Sequence, residues 1–216
     1  MINNLRQIYN SREERNQFIS LKLKIYIGKS VLNIGGGGER FLEKFLPANV
    51  SYKELDISGI PDIKCDLEND LPLNIADNEF ETLICTEVLE HLNNPLEVLL
   101  EMSRLSKKYL ILSLPNSWVM MKSNLFSKTS DSGKFYGFPL ETPLDRHKWF
   151  FNACEAEYFY RNYAINNKLE IKELFHVGYF HKNIFKSLVR TLVSILFGER
   201  VRKNIFSTSV WCVYKT

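Results

Sequence analysis

The chain has 216 residues, 45% of them hydrophobic and 25% charged, which suits one domain of ordinary to large size and excludes a disordered or fibrous chain. Four cysteines, Cys65, Cys85, Cys154 and Cys212, stand too far apart for a disulfide scaffold, a zinc ribbon or a CxxC pair. A formal charge of +3 is too small to argue for a nucleic-acid partner.

Residues 1–29 form a polar, basic lead without the apolar run of a secretory signal. Its Leu5, Ile8, Ile19, Leu23 and Ile27 predict one or two helices. Ser30–Ile34 (SVLNI) predicts a short buried strand. Four glycines follow, Gly35 to Gly38, and then ERFLEKFL, whose Phe41, Leu42, Phe45 and Leu46 predict a helix stopped by Pro47. Strand, glycine turn and helix open a βαβ unit. Further strands are predicted at Ser51–Leu55, Asp62–Cys65, Thr82–Cys85 and Tyr109–Leu114. A helix lies between the last two, with Asn94 as its cap, Pro95 in its first turn, and Leu96, Leu99, Leu100 and Leu105 as its apolar face.

Residues 117–150 lose the periodicity. Asn152 and Glu155 mark the start of a helix over Ala153–Asn166. A strand is expected at Leu169–Val177, a basic amphipathic helix at Asn183–Phe197 and a final strand at Ser207–Tyr214. No run reaches the roughly 18 apolar residues of a membrane span. The helix at 183–197 is expected to lay its apolar face on the sheet, with peripheral membrane contact through 183–204 as the less favoured use of its basic charge. Strands alternating with helices predict a doubly wound α/β domain, and runs such as TLIC and YLILSL suit parallel strands buried on both faces.

A glycine turn between strand and helix aims backbone N–H groups at a ligand above the sheet. Glu39-Arg40 after Gly38 replaces the Gly-Lys-Ser/Thr ending of a triphosphate loop, and neither Arg40 nor Phe41 supplies the third glycine of a dinucleotide fingerprint. Asp56 ends the second strand, where a carboxylate can accept both hydroxyls of a ribose. Asp66 ends the third, with Leu67 beside it to cover an adenine ring.

The runs VLNIGGGGERFL, LDIS, CDLENDLPL, DNEFETLICTEVLEHLNNPLEVLLEMSRL and YLILSLPN, within residues 30–116, resemble the class I S-adenosylmethionine-dependent methyltransferases, in particular their small bacterial type 11/type 23-like members. The resemblance implies a Rossmann-like, mostly parallel seven-stranded sheet with the last strand antiparallel. It implies S-adenosylmethionine as cofactor, held by Asn33, Gly35, Gly36, Gly37, Asp56, Ile57, Asp66, Leu67, Thr86 and Glu87. Asn33 stands where the family usually has an acid, so either Glu39 supplies that charge or the site is weakened.

The resemblance also divides the chain into an extension (1–29), a cofactor half (30–116), an acceptor lid (117–150) and a C-terminal half (151–216), all in one methyltransferase domain.

His91 follows the fourth strand and His147 lies in the run TPLDRHKWFF; both are candidates for catalysis, because a hydroxyl acceptor needs a base. Glu87, Glu90 and His91 share one face if that turn is helical. With His147 they resemble the metal site of small-RNA 2′-O-methyltransferases and of ubiquinone-pathway O-methyltransferases, so a divalent metal is possible, though not favoured. His176 and His181 read as structural or solvated. The leading expectation is a cytoplasmic enzyme that O-methylates a small molecule or a sugar or glycan-linked hydroxyl, without nucleic acid. The alternatives are a degenerate, non-catalytic binding partner and a metal-assisted RNA 2′-O-methyltransferase.

Overall fold

The computed structural model describes residues 5–6, 9, 11–125, 140–141, 143, 145–178 and 184–216. Nearly half of the lid expected at 117–150, including Tyr136, lies outside the described residues, as does His181. The elements in chain order are β1 (Leu5–Arg6), α1 (Arg12–Lys22), β2 (Ser30–Ile34), β3 (Ser51–Asp56), β4 (Ile63–Lys64), β5 (Phe80–Thr86), α2 (Pro95–Leu105), β6 (Ser106–Pro115), α3 (Ser117–Leu125), α4 (Ala153–Asn167), β7 (Glu170–Gly178), α5 (Ile184–Phe206) and β8 (Ser207–Lys215).

The strands form one 8-stranded sheet in the order β1-β7-β8-β6-β5-β2-β3-β4. Its seven main strands have the expected arrangement. β4, β3, β2, β5 and β6 run parallel, and the last strand, β8, lies antiparallel between β6 and β7. The two-residue β1 adds an eighth strand at the edge, parallel to β7. The reversal of winding falls between β2 and β5, so the carboxyl ends of those strands flank a crevice, where ligands of open α/β sheets bind.

Alternation along the strands splits the core into two layers. Leu32, Ile34, Leu110, Leu112, Val210, Cys212 and Tyr214 point to the face covered by α2 and α4. Val31, Ile84, Ile111, Trp211 and Val213 point to the other face, where Ile19 and Leu23 of α1 and Leu42 close over them. Strands buried on both faces carry continuous apolar runs for this reason. Asn152 and Glu155 form the expected capping box on α4. Asn94 makes no side-chain cap on α2, which begins with Pro95 at its first turn instead.

Two further expectations fail. The helix predicted from Phe41 to Leu46 is absent, and only a 3₁₀ turn, Glu43–Phe45, forms there. Arg40 sits at φ 52° and clasps Glu43 and Asp62 through its guanidinium. The left-handed residue breaks the helical run, and Pro47 leaves too few residues to restart it. The second failure is the apolar stripe of α5, which points away from the sheet: Leu188, Leu192, Ile195 and Leu196 are exposed.

Candidate active site

The glycine loop is shaped by backbone conformation and by contacts from beneath. Gly35 has φ 76°, and a Cβ there would lie 2.1 Å from Val88 Cγ2, so no other residue fits. The Gly37 amide donates to Asp56 Oδ2 at 2.7 Å, while Asp56 Oδ1 accepts from the amide and hydroxyl of Ser58, both at 2.8 Å. Asp56 thus ties the loop to the end of β3 and is largely buried. Without a helix after the loop, the anion-favouring end of a helix dipole is missing there. The N–H groups of the loop itself remain.

A carboxylate stands beside Asn33 on the neighbouring strand. Asn33 and Glu54 are register partners on β2 and β3, and both are buried. Asn33 Nδ2 donates to Glu54 Oε1 at 3.3 Å, Tyr52 Oη donates to the same oxygen at 3.0 Å, and a Cβ on Gly36 would lie 1.6 Å from it. A carboxylate therefore sits directly under the loop. Glu39, the other candidate for this charge, lies at the surface 3.9 Å from Arg12.

Above the loop is a cavity of about 420 Å³ lined by Gly35, Glu87, Glu90, His91, Pro115 and His147, and also by Tyr9, Ser11, Arg12, Arg15, Met120, Asp145 and Thr208. It gathers Gly35, Glu87, His91 and His147 from the expected site residues. Gly36 and Gly37 are in the loop, and Asn33 and Asp56 lie beneath or beside it. Thr86 is buried at the end of β5, and Ile57 is exposed after β3. Both Asp66 carboxylate oxygens are engaged within their own turn, by the Glu68 amide at 2.9 Å and Asn69 Nδ2 at 2.7 Å. Leu67 is half-buried against the core.

The histidines come together as their separate segments are stitched. The turn after β5 is a 3₁₀ helix, Leu89–His91. The Glu90 carbonyl accepts from the Lys148 amide at 2.8 Å, and Trp149 Nε1 donates to the Leu92 carbonyl at 2.7 Å. These bonds lay His147 against His91 with ring centroids 4.6 Å apart and planes at 88°. Burial lowers the pKa of both imidazoles, that of His147 to about 4, where the neighbouring His91 adds to the effect. Both rings are therefore neutral at physiological pH. Glu90 is fully buried beneath them, its Oε1 3.8 Å from His91 Nε2 and its Oε2 without a hydrogen-bond partner. Burial, then the nearby Glu87, pushes the Glu90 carboxyl well above the usual range.

Glu87 does not share a face with Glu90 and His91, because it sits at φ 55° before the 3₁₀ turn. Its carboxylate instead forms a tight ion pair with the Arg15 guanidinium and accepts from Tyr9 Oη at 3.1 Å. Among the described residues, the cluster able to hold a metal is therefore Glu90, His91 and His147, whose donor atoms lie within 4.8 Å of one another. His176 is structural, bonded to Glu157 at 2.9 Å and Ser207 at 3.1 Å. Tyr9, Arg12 and Arg15, which wall the cavity from the N-terminal segment, carry no motif. Only the fold brings them to the cavity, where Tyr9 and Arg15 meet Glu87.

Residues 32–112 match the model of the methyltransferase domain family. No curated protein matches the chain by sequence. Among solved structures the chain resembles a SAM-dependent methyltransferase from Archaeoglobus fulgidus (15% identity, TM-score 0.61, covering 96% of this chain and 95% of that one). It also resembles the methyltransferase domain of a bacterial Hen1 (17%, 0.59, 96% and 100%) and the [4+2]-cyclase SpnF (11%, 0.57, 100% and 87%). At these identities the structures establish a shared fold. With the family match across the glycine loop and β5, the shared fold is that of the class I S-adenosylmethionine-dependent methyltransferases.

Proposed function

We propose that the protein transfers the methyl group of S-adenosylmethionine to a hydroxyl of a small-molecule or glycan-linked acceptor, in the cytoplasm. The observation that carries this reading is the pair of neutral imidazoles, His91 and His147, facing one cavity with Gly35 of the cofactor loop. Asp56 and the loop amides hold the ribose and methionine ends of the cofactor, Ile57, Asp66 and Leu67 border the adenine, and Thr86 closes the floor. Arg12, at the cavity wall beside Gly37, faces the methionine carboxylate.

The acceptor oxygen attacks the methyl carbon in line with the carbon–sulfur bond. That bond breaks with its electron pair going to sulfur, and the hydroxyl proton passes to an imidazole nitrogen. His91 is the base, since its turn is anchored directly to β5, and His147 orients it or the acceptor. Glu54 beneath the loop supports a working site over a degenerate one, because it restores the charge that Asn33 lacks.

The test is release of S-adenosylhomocysteine with a panel of sugars, sugar nucleotides and diols. His91→Asn should lower turnover by about two to four orders of magnitude and leave cofactor affinity nearly unchanged. Full turnover by that variant removes His91 as the base.

A second reading is favoured by one specific observation, the unpartnered buried oxygen of Glu90. A carboxylate with two neutral imidazoles suits Zn²⁺, Mn²⁺ or Mg²⁺, which would grip adjacent hydroxyls of an acceptor, an RNA 3′-terminal ribose included. Glu90, His91 and His147, with donor atoms within 4.8 Å of one another, would hold the ion, which would supply Lewis-acid polarisation of the acceptor oxygens. On this reading a chelator abolishes turnover and a divalent ion restores it; on the first, neither has an effect.

A further inference from the structure

Helix α5 is amphipathic with its faces reversed. Gly198, at φ 82° and ψ 167°, divides it, so the first segment ends at Phe197. Leu188, Leu192, Ile195 and Leu196 stand at i, i+4, i+7 and i+8, on one stripe. They are 61%, 53%, 75% and 62% exposed, and Phe197 beside the break is 64% exposed. The opposite side, with Arg190, Val193 and Ser194, is the partly buried one. A helix that served only its own fold would turn its leucines inward.

Cations gather behind the stripe and past its end. The Arg190 guanidinium and the Lys122 ammonium lie over the Phe206 ring, at 5.5 and 5.9 Å from its centre. Arg202 is close enough to Arg190 to oppose its charge, and Arg200 is exposed. Glu199 is the only acid in α5, and it pairs with Arg202. Helix α3, which packs on α5, lends Met120 to the cavity and exposes Trp118, whose ring meets Phe150 at 5.8 Å. An apolar stripe, an excess of cations over acids on the same helix and an exposed tryptophan are the features of a helix lying in a lipid interface.

We propose that α5, with α3 beside it, docks the protein on an anionic phospholipid surface, lying in the headgroup plane. No helix among the described residues is long and apolar enough to cross a membrane. A second copy of the chain is the poorer occupant, because a two-fold contact brings two helices with an excess of cations together. The proposal does not depend on the identity of the acceptor.

Vesicle flotation of the full chain tests it, with phosphatidylcholine alone and with phosphatidylcholine mixed with phosphatidylglycerol. The chain should float with the mixed vesicles and release as salt rises. The double variant Leu192→Glu, Leu196→Glu should lower partitioning by about a hundredfold without lowering the melting temperature, since both side chains are exposed. Arg200→Glu, which leaves the stripe intact, should weaken binding to the mixed vesicles by about fivefold. The proposal is overturned by absence of flotation with the mixed vesicles. Equal binding to both vesicle types that ignores Arg200→Glu also overturns it, as does a dimer in solution that the double variant dissociates while vesicles stay bare.

Discussion

Glu54 is the residue that most changes how the cofactor loop is understood. It faces Asn33 across the β2–β3 ladder, and the amide and the Tyr52 hydroxyl hold its carboxylate under Gly36. Glu54→Gln should weaken S-adenosylmethionine by about tenfold in calorimetry, since a charged acceptor under the loop is lost. Asn33→Asp alone should lower the melting temperature, because two carboxylates would then share one buried site. Combining Asn33→Asp with Glu54→Asn returns the charge count to one and should recover most of the loss. If the double variant is no better than the single one, the charge has not simply moved from one strand to the next.

The histidine pair adds a pH dependence at the same scale. His147 takes up its proton only near pH 4 in the folded chain, whereas an unfolded histidine does so near about 6.5. Between those values the unfolded state binds more protons, so stability falls as pH drops from about 6.5 towards 4. His147→Gln should flatten that part of the melting-temperature profile. Because His91 is also held down by burial, the acid limb of kcat/KM should lie below that of a free imidazole. A limb above pH 7 would exclude either ring as the base.

At the scale of elements, the glycine loop is rigid at one point. Gly35→Ala meets Val88 and a positive φ together, and should cost about 1–3 kcal/mol or leave the chain unfolded on urea titration. The α4 capping box is the simplest control. Asn152→Ala loses bonds to the amides of Cys154 and Glu155 and should cost about 1 kcal/mol, with no effect on cofactor binding.

The strands and α4 were legible because their signals are local: β2 is the predicted Ser30–Ile34 to the residue, and Asn152 with Glu155 announces α4. The segment after the loop was not legible, since the contact that bends it, Arg40 with Asp62, spans 22 residues. The α5 stripe was misassigned because periodicity gives a helix an apolar face without saying what covers it.

For the whole molecule, the sheet order and the reversal between β2 and β5 fix where a ligand sits. Alternating strands and helices predicted a doubly wound sheet, and the antiparallel last strand came only with the resemblance. His91 and His147 were legible by their places, one after a strand and one in a distinctive run. Tyr9, Arg12 and Arg15 were not, because a polar N-terminal segment carries no sign that it will wall a cavity against Glu87. SpnF, whose fold this chain shares, is a [4+2]-cyclase, so the fold alone does not name the reaction.

The most direct measurement is therefore a crystal structure of the chain with S-adenosylhomocysteine. The account predicts the adenosine ribose on Asp56, the methionine end over Gly35 and Gly37, and the sulfur opening into the cavity between Gly35 and the His91–His147 pair. A sulfur that faces away from both imidazoles, or a cofactor seated without contact to the loop, would contradict it.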